Sequence, residues 1–205
     1  MSSFIHSRLR ACFLRIAALT CVGVFASAGL ALADCPDQSL STPFAQWGDT
    51  NNYFLIPGGS FEGTADQVGW DLNGASLTAG NEPFYVNSSG DSQSLTISAG
   101  GSATSPFFCV DNTMSSLRFF AQEATPGSDL QVQALVQTQN GTQTVPVADL
   151  ADGSMSSWAP TDPIAGDTSS LENGDTVQVA LEFSVPQSAG SWQIDDLYVD
   201  PYRSG

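Results

Sequence analysis

Alternation of apolar and polar residues with a period of two runs through most of the chain, the pattern of half-buried strands. In Asp175–Pro186, Val177, Val179, Leu181, Phe183 and Val185 fall on one side, and Gln178, Ala180, Glu182 and Ser184 on the other. Asp129–Gln139 repeats the pattern: Leu130, Val132, Ala134 and Val136 face in, while Gln131, Gln133 and Gln137 face out, and Leu135 interrupts the polar side. Ser94–Ser98 reads likewise, and Ser116–Gln122 sets Arg118 and Phe120 opposite Leu117 and Phe119. Tyr53–Ile56, Val68–Leu72, Pro83–Val86, Pro106–Val110, Thr142–Val147 and Ser191–Val199 are further predicted strands. Gly- and Asn-Gly-rich turn signals separate them at 57–60, 73–74, 89–91, 99–102, 125–128, 140–141 and 173–174. Asn140-Gly141, between two strand-like runs, is the strongest hairpin signal. Residues 148–176 read as a long loop with one short strand. No segment keeps a helical period over three turns. Short strands, regular turns and no strand–helix–strand rhythm predict an all-β antiparallel sandwich.

The first 33 residues stand apart. Arg8, Arg10 and Arg15 precede an uncharged apolar run, Ile16–Leu30, and Ala31-Leu32-Ala33 then offers a cleavage site. This is the layout of a secretory signal peptide. Ile16–Ala33 is at the short edge of the roughly 20 residues that a membrane span needs. Asp34 before Cys35 does not suit a lipid-attachment site, which needs a small residue there. The expected product, residues 34–205, is long enough for one domain with a sizeable core and is secreted. No second apolar span follows, so no membrane insertion is expected after cleavage.

Charge narrows the partners. Beyond residue 33 the chain keeps Arg118 and Arg203 against all 21 acids, and it has no Lys. Phosphate binding needs a basic patch, so nucleic acid is excluded as an expected partner, and an anionic membrane surface with it. The acidity serves solubility, or some carboxylates serve a divalent cation. Cys35 and Cys109 remain after the leader, an even pair in an oxidising compartment, and a Cys35–Cys109 disulfide is expected. The chain is expected to be a monomer.

Much chemistry is absent. His6, the one histidine, lies in the leader, so Ser-His and Cys-His nucleophile pairs and histidine metal sites are excluded. Paired carboxylates alone still permit glycoside hydrolysis. No enzyme is expected.

Asp195 and Asp196 sit side by side in a predicted strand, where aspartate is depleted and an unpaired buried charge is costly. Two short stretches bear on this pair. Gly59-Ser60-Phe61-Glu62-Gly63 is followed by Trp70, and the chain closes its last strand with Ile194-Asp195-Asp196-Leu197-Tyr198-Val199. Together they resemble the galactose-binding-like jelly roll, especially the carbohydrate-binding modules attached to xylanases and cellulases. The layout is similar over most of the chain, and the motifs are specific only at these two ends. The chain also resembles a group of small exported bacterial proteins that share Gly80–Val86 and Trp192–Arg203, a likeness that implies no activity.

The resemblance implies a single-domain jelly roll whose first and last strands share a structural calcium ion. Glu62 and Asp195 would be its side-chain ligands, with main-chain carbonyls near Ser60. Calcium wants about six to eight oxygens, and a carboxylate from each chain end would neutralise it. Neighbours on a regular strand point to opposite faces, so Asp196 joins only if a bulge intervenes. The alternative is that Asp195 accepts main-chain N–H bonds or pairs with Arg118.

Sugars stack on aromatic faces while amides, carboxylates and Arg bond their hydroxyls. Trp158, in a polar loop-like stretch, is the candidate platform. Arg118, Gln131, Gln133, Gln178 and Glu182, on outward strand faces, are the candidate hydroxyl partners. The expected function is an exported, non-catalytic carbohydrate-binding-like module with a calcium site, taking a glycan or extracellular polymer. A structural or interaction protein of the cell exterior is the first alternative, and a carboxylate-dependent glycoside hydrolase the second. Asn87-Ser88-Ser89 and Asn140-Gly141-Thr142 match the glycosylation pattern.

Overall fold

The computed structural model describes residues 35–111, 116–138, 140–166, 176–186 and 189–200. The predicted leader lies outside them. The strands are β1 (Leu40–Ser41), β2 (Tyr53–Leu55), β3 (Asp71–Ala79), β4 (Gln93–Thr104), β5 (Phe108–Val110), β6 (Ser116–Thr125), β7 (Leu130–Thr138), β8 (Gly141–Leu150), β9 (Ala159–Pro160), β10 (Ile164–Ala165), β11 (Val177–Ser184) and β12 (Ser191–Val199). A 3-10 turn, Ala45–Trp47, and a one-turn helix, α1 (Ala65–Val68), are the helical elements among the described residues. None is long and apolar enough to cross a membrane.

The fold is an antiparallel β-sandwich, as the alternation predicts, with the jelly-roll layout that the resemblance implies. One layer runs from β9 and β10 through β6 and β12 to the first half of β4 and to β3. There β2, followed by β1, continues beside the end of β12. The other layer runs β8, β7, β11, then the last residues of β4 and the first of β3. β5 lies beside the start of β11. Strands β3 and β4 thus turn the corner between layers together. Gly74 (φ +67°) and Gly101 make that corner, and a Cβ on Gly101 would stand 2.6 Å from the Gly74 carbonyl oxygen. This explains why 73–74 and 99–102 read as turns: they are bends inside strands.

Inward residues of both layers meet in one core. Phe119 of β6 and Phe183 of β11 touch edge to face at 5.2 Å between ring centres. Trp192 is fully buried, and its Nε1–H donates to the Ser128 carbonyl. The glycine-rich stretch before Trp70 also serves the core. Phe61 and Trp70 pack at 4.9 Å, and the Trp70 indole donates to the Pro57 carbonyl. Gly58 is compelled, because a Cβ there would lie 2.2 Å from the Val68 carbonyl oxygen.

The outer face of the first layer departs from simple alternation. Arg118 and Phe120 were expected to face outward, yet both are buried. A second cluster of Phe44, Tyr53, Phe120 and Tyr198 covers that face, with Leu55, Val86 and Trp158 packed around it. Segments far away in sequence supply this lid, so strand periodicity could not reveal it. Three predicted elements differ. Val68 ends α1 and Asp71 opens β3, so Val68–Leu72 is not one strand. Pro83–Val86 is a loop of the lid. Residues 148–176 carry two two-residue strands, β9 and β10, in their described part.

The expected disulfide forms. Cys35 and Cys109 are bonded, and Cys109 lies on β5. It ties the segment before β1 to the second layer.

Candidate functional site

The aspartate pair lies inside the protein. Asp195 and Asp196 are both fully buried. The β12–β6 register slips between Asp195 and Tyr198, and Asp196 takes φ +46°, a conformation that costs a non-glycine residue energy. The slip is the bulge that the sequence left open, and it takes the two side chains out of strict alternation.

Their partners differ. Asp195 Oδ2 accepts the Glu82 N–H at 3.0 Å, and its Oδ1 accepts the Asp196 N–H at 2.9 Å. This is the expected alternative of main-chain donors, while Arg118 is engaged elsewhere. Neither oxygen of Asp196 has a hydrogen-bond partner. The Asn87 N–H acts on Asp196 electrostatically without closing a hydrogen bond. Burial pushes Asp195 up to about 9, and the negative charge of Asp196 adds to it. Burial also pushes Asp196 up to about 8, followed by the charges of Glu82 and Asp91, with Glu62 contributing. Among the described residues, no cation is among the groups that act on this pair.

Glu82 belongs to the same group and was missed by the sequence reading. It is fully buried, and its carboxylate accepts the N–H of Phe84 at 2.5 Å and of Val86 at 2.9 Å. Burial raises its pKa and these N–H donors pull it back. Its signal was a Glu-Pro at the edge of Pro83–Val86, a stretch that read as a strand, and an acid outside the run has no periodic signature.

The other expected metal residues lie nearby in the fold. The Gly59 carbonyl, beside Ser60, accepts the Leu197 N–H, and the Leu197 carbonyl accepts the Ile56 N–H, so the first and last segments do run together. The Glu62 carboxylate accepts the N–H groups of Ser92 and Gln93 at 2.6 and 2.7 Å. Among the described residues, no three acidic, histidine or cysteine side chains are gathered around one point. An ion here would take main-chain oxygens or water as well. Asp196 has the chemistry for such an ion: a buried carboxylate with two unpartnered oxygens, among acids, with no base beside it among the described residues.

The expected sugar ligands fall on two different faces. Gln131 and Gln133 on β7 stand opposite Ser184 and Glu182 on β11, and Gln178 lies further along the same side of β11. These four expected side chains therefore share the outer face of the second layer, each half-buried. Phe107, 40% exposed, precedes β5 beside β11. Arg118 does not join them. It is buried on β6, bonded to Asp49 at 2.7 Å and, through Nε and a terminal nitrogen, to the Thr161 carbonyl, with its guanidinium 4.2 Å from the centre of the Phe44 ring. Arg118 fastens the lid and is not available to a ligand. Trp158 is half-buried against the second aromatic cluster, on the first layer.

That first layer carries a polar row and an aromatic patch that sequence did not single out. The Gln122 amide donates to Gln193 Oε1, and Gln193 Nε2 reaches Thr96 and Thr78 Oγ1 at 3.3 and 3.4 Å. Trp47, Phe84 and Tyr85 are 36, 39 and 49% exposed. Trp47 meets Phe84 edge to face at 5.0 Å, and both rest on Phe120.

No family model matches the chain, and no curated protein matches it. Solved structures do. The CBM22-1 xylan-binding domain from Paenibacillus barcinonensis is 16% identical, covering 71% of this chain and 93% of its own, with a TM-score of 0.46. A family 16 carbohydrate-binding module is 18% identical over 71% of this chain and 98% of its own, with a TM-score of 0.44. A CBM61 module in complex with β-1,4-galactotriose is 10% identical over 82% and 100%, with a TM-score of 0.39.

Proposed function

We propose that this chain is an exported, non-catalytic carbohydrate-binding module whose sandwich is fastened by calcium. The observation that supports sugar binding is the exposed pair Trp47 and Phe84, joined to each other and to Phe120 by ring contacts, with exposed Tyr85 next to Phe84 in the chain. Flat rings of this kind take the apolar face of a pyranose. The buried acids do not suit catalysis: Glu82, Asp195 and Asp196 are sealed from any substrate.

Asp196 supports the calcium. Its two unpartnered oxygens, with Glu62 as the nearby acid from the other chain end, would be the protein's side-chain contribution, and the Gly59 carbonyl, which accepts the Leu197 N–H, brings the main chain beside Ser60 up to β12. Bound there, the ion would supply the positive charge this group lacks and join the two chain ends. Asp195, already saturated by N–H donors, is the poorer ligand, which shifts the role from Asp195 to its neighbour. Export is supported by the apolar leader and by the Cys35–Cys109 bond, which persists only in an oxidising compartment.

The test is retention of the protein, residues 34–205, on insoluble polysaccharides and a glycan array, with calcium and with chelator. Retention by a defined glycan is expected. A folded protein that binds none would turn the reading toward a structural or interaction role at the cell exterior.

A further inference from the structure

The five residues Thr78, Thr96, Gln193, Gln122 and Trp158 lie in one row on the outer face of the first layer. Gln193 stands opposite Thr96 on one side and Gln122 on the other. Thr78 on β3 reaches Thr96 at 2.7 Å between hydroxyls. Ala159 pairs with Ala121, which brings Trp158 level with Gln122. The four polar members are half-buried, so each is open to the solvent side while fixed by its neighbours. Hydroxyl and amide groups locked in a row are pre-organised partners for sugar hydroxyls, and little side-chain entropy is lost on binding.

The aromatic patch adjoins this row. Phe120 sits two residues from Gln122 on the same face of β6, and the Phe84 ring lies 5.7 Å from it. Phe84 and Tyr85 belong to the loop that Glu82 organises, and Tyr85 is held at φ +52°. Asp195, opposite Phe120 on β12, anchors that loop to the sheet through the Glu82 N–H. The rings therefore stand at a fixed place along the row.

We infer that the outer face of the first layer is a groove for a neutral polysaccharide chain, with Gln122, Gln193, Thr96 and Thr78 as its floor, Trp158 at one end, and Trp47, Phe84 and Tyr85 as an aromatic wall. This rests on the sugar-binding reading and names its site. Neutral sugars follow from charge: the face is built with amides and hydroxyls, its one Arg is tied to Asp49, and the chain carries 21 acids. A uronate-rich polymer would be repelled. The outer face of the second layer is the rival, with Gln131, Gln133, Gln178 and Glu182 but one exposed ring beside it.

The experiment is affinity electrophoresis and calorimetry of the wild-type protein with soluble xylan, β-1,4-galactan and mixed-linkage β-glucan, with polygalacturonate alongside. Tyr85→Ala and Gln193→Ala test the groove, and Gln133→Ala with Glu182→Ala tests the rival face. Each variant is checked for an unchanged melting temperature, and Gln122→Ala serves where Tyr85→Ala loses the fold. At least one neutral polysaccharide is expected to bind, with Tyr85→Ala and Gln193→Ala weakening it roughly tenfold or more. Tryptophan emission should also shift on binding, because Trp47 and Trp158 border the groove while Trp70 and Trp192 are core. Binding that survives the groove variants and is lost in the Gln133/Glu182 pair overturns this assignment and leaves the sugar reading standing. Binding of polygalacturonate alone overturns the neutral-chain argument. No binding of any polysaccharide by folded protein overturns both.

Discussion

The N–H of Glu82 donates to Asp195 Oδ2 at 3.0 Å across 113 residues of sequence, both residues being fully buried. The loop that carries Phe84 and Tyr85 is thereby held on the last strand. Replacing Asp195 with Ala leaves the Glu82 N–H unpaired in a dry site, which costs about 1–3 kcal/mol. Asp195→Asn keeps an acceptor oxygen, and the carboxyl it replaces is held protonated at neutral pH, so it should lose much less. Denaturant midpoints of the two variants at about pH 7 check this. Equal losses would show that the acceptor oxygen does not matter.

Asp195 and Asp196 make stability depend on pH in an unusual direction. Burial lifts them to about 9 and about 8, far above the ordinary value of about 4 for an unfolded aspartate. The folded state then holds protons that the unfolded state releases. Stability is fully present below about pH 4 and falls as pH rises through the folded values. In chelator, the melting temperature should therefore decline between about pH 5 and about pH 9. A cation on Asp196 replaces the proton, so calcium should flatten that decline and raise the melting temperature most at high pH. Asp196→Asn should abolish the calcium effect and lessen the decline, leaving the part that burial of Asp195 contributes. A melting temperature indifferent to chelator at about pH 8 would remove calcium from the account.

The sequence announced the strands that have one wet face and one dry one. β7 and β11 stand where Leu130 and Val179 place them. It also exposed the aspartate pair, because two adjacent acids in a strand violate strand chemistry. Which aspartate is the orphan was not legible, since the bulge at Asp196 depends on tertiary pairing with β6. Glu82, Gln122 and Gln193 were missed for a related reason. Their significance comes from strand order and from a lid of distant segments, and no local period encodes either.

Arg118 links the lid to the sheet through Asp49, whose side chain is 13% exposed. Burial pulls the Asp49 carboxyl upward, but the hydrogen bonds from Tyr53, Asn51 and Arg118 outweigh it and hold it below its ordinary value. Arg118→Met removes one partner of a largely buried pair and leaves the Thr161 carbonyl without its two guanidinium donors, while Tyr53 and Asn51 still hold Asp49, so the loss should fall at the low end of the about 3–5 kcal/mol of a broken buried pair. Adding Asp49→Asn should recover part of that loss. Urea denaturation of the single and double variants gives the comparison, and an additive double variant would deny the coupling.

Reduction of Cys35–Cys109 separates stability from ligand binding. The bond closes a loop over 74 residues, and constraint of the unfolded chain by so long a loop is worth up to about 4–5 kcal/mol. Cys109 is in the second layer, whereas the polar row and the aromatic patch are on the first. The lid segment around Phe44 and Trp47 keeps its own fastenings, because Asp49 holds Arg118 and Phe44 packs on Phe120 at 5.7 Å. Reductant, or Cys35→Ser with Cys109→Ser, should thus lower the melting temperature while polysaccharide affinity at about 25 °C stays near wild type. Loss of affinity in a protein still folded at that temperature would mean that the segment before β1 orders the aromatic wall, through contacts that the ring packing alone does not supply.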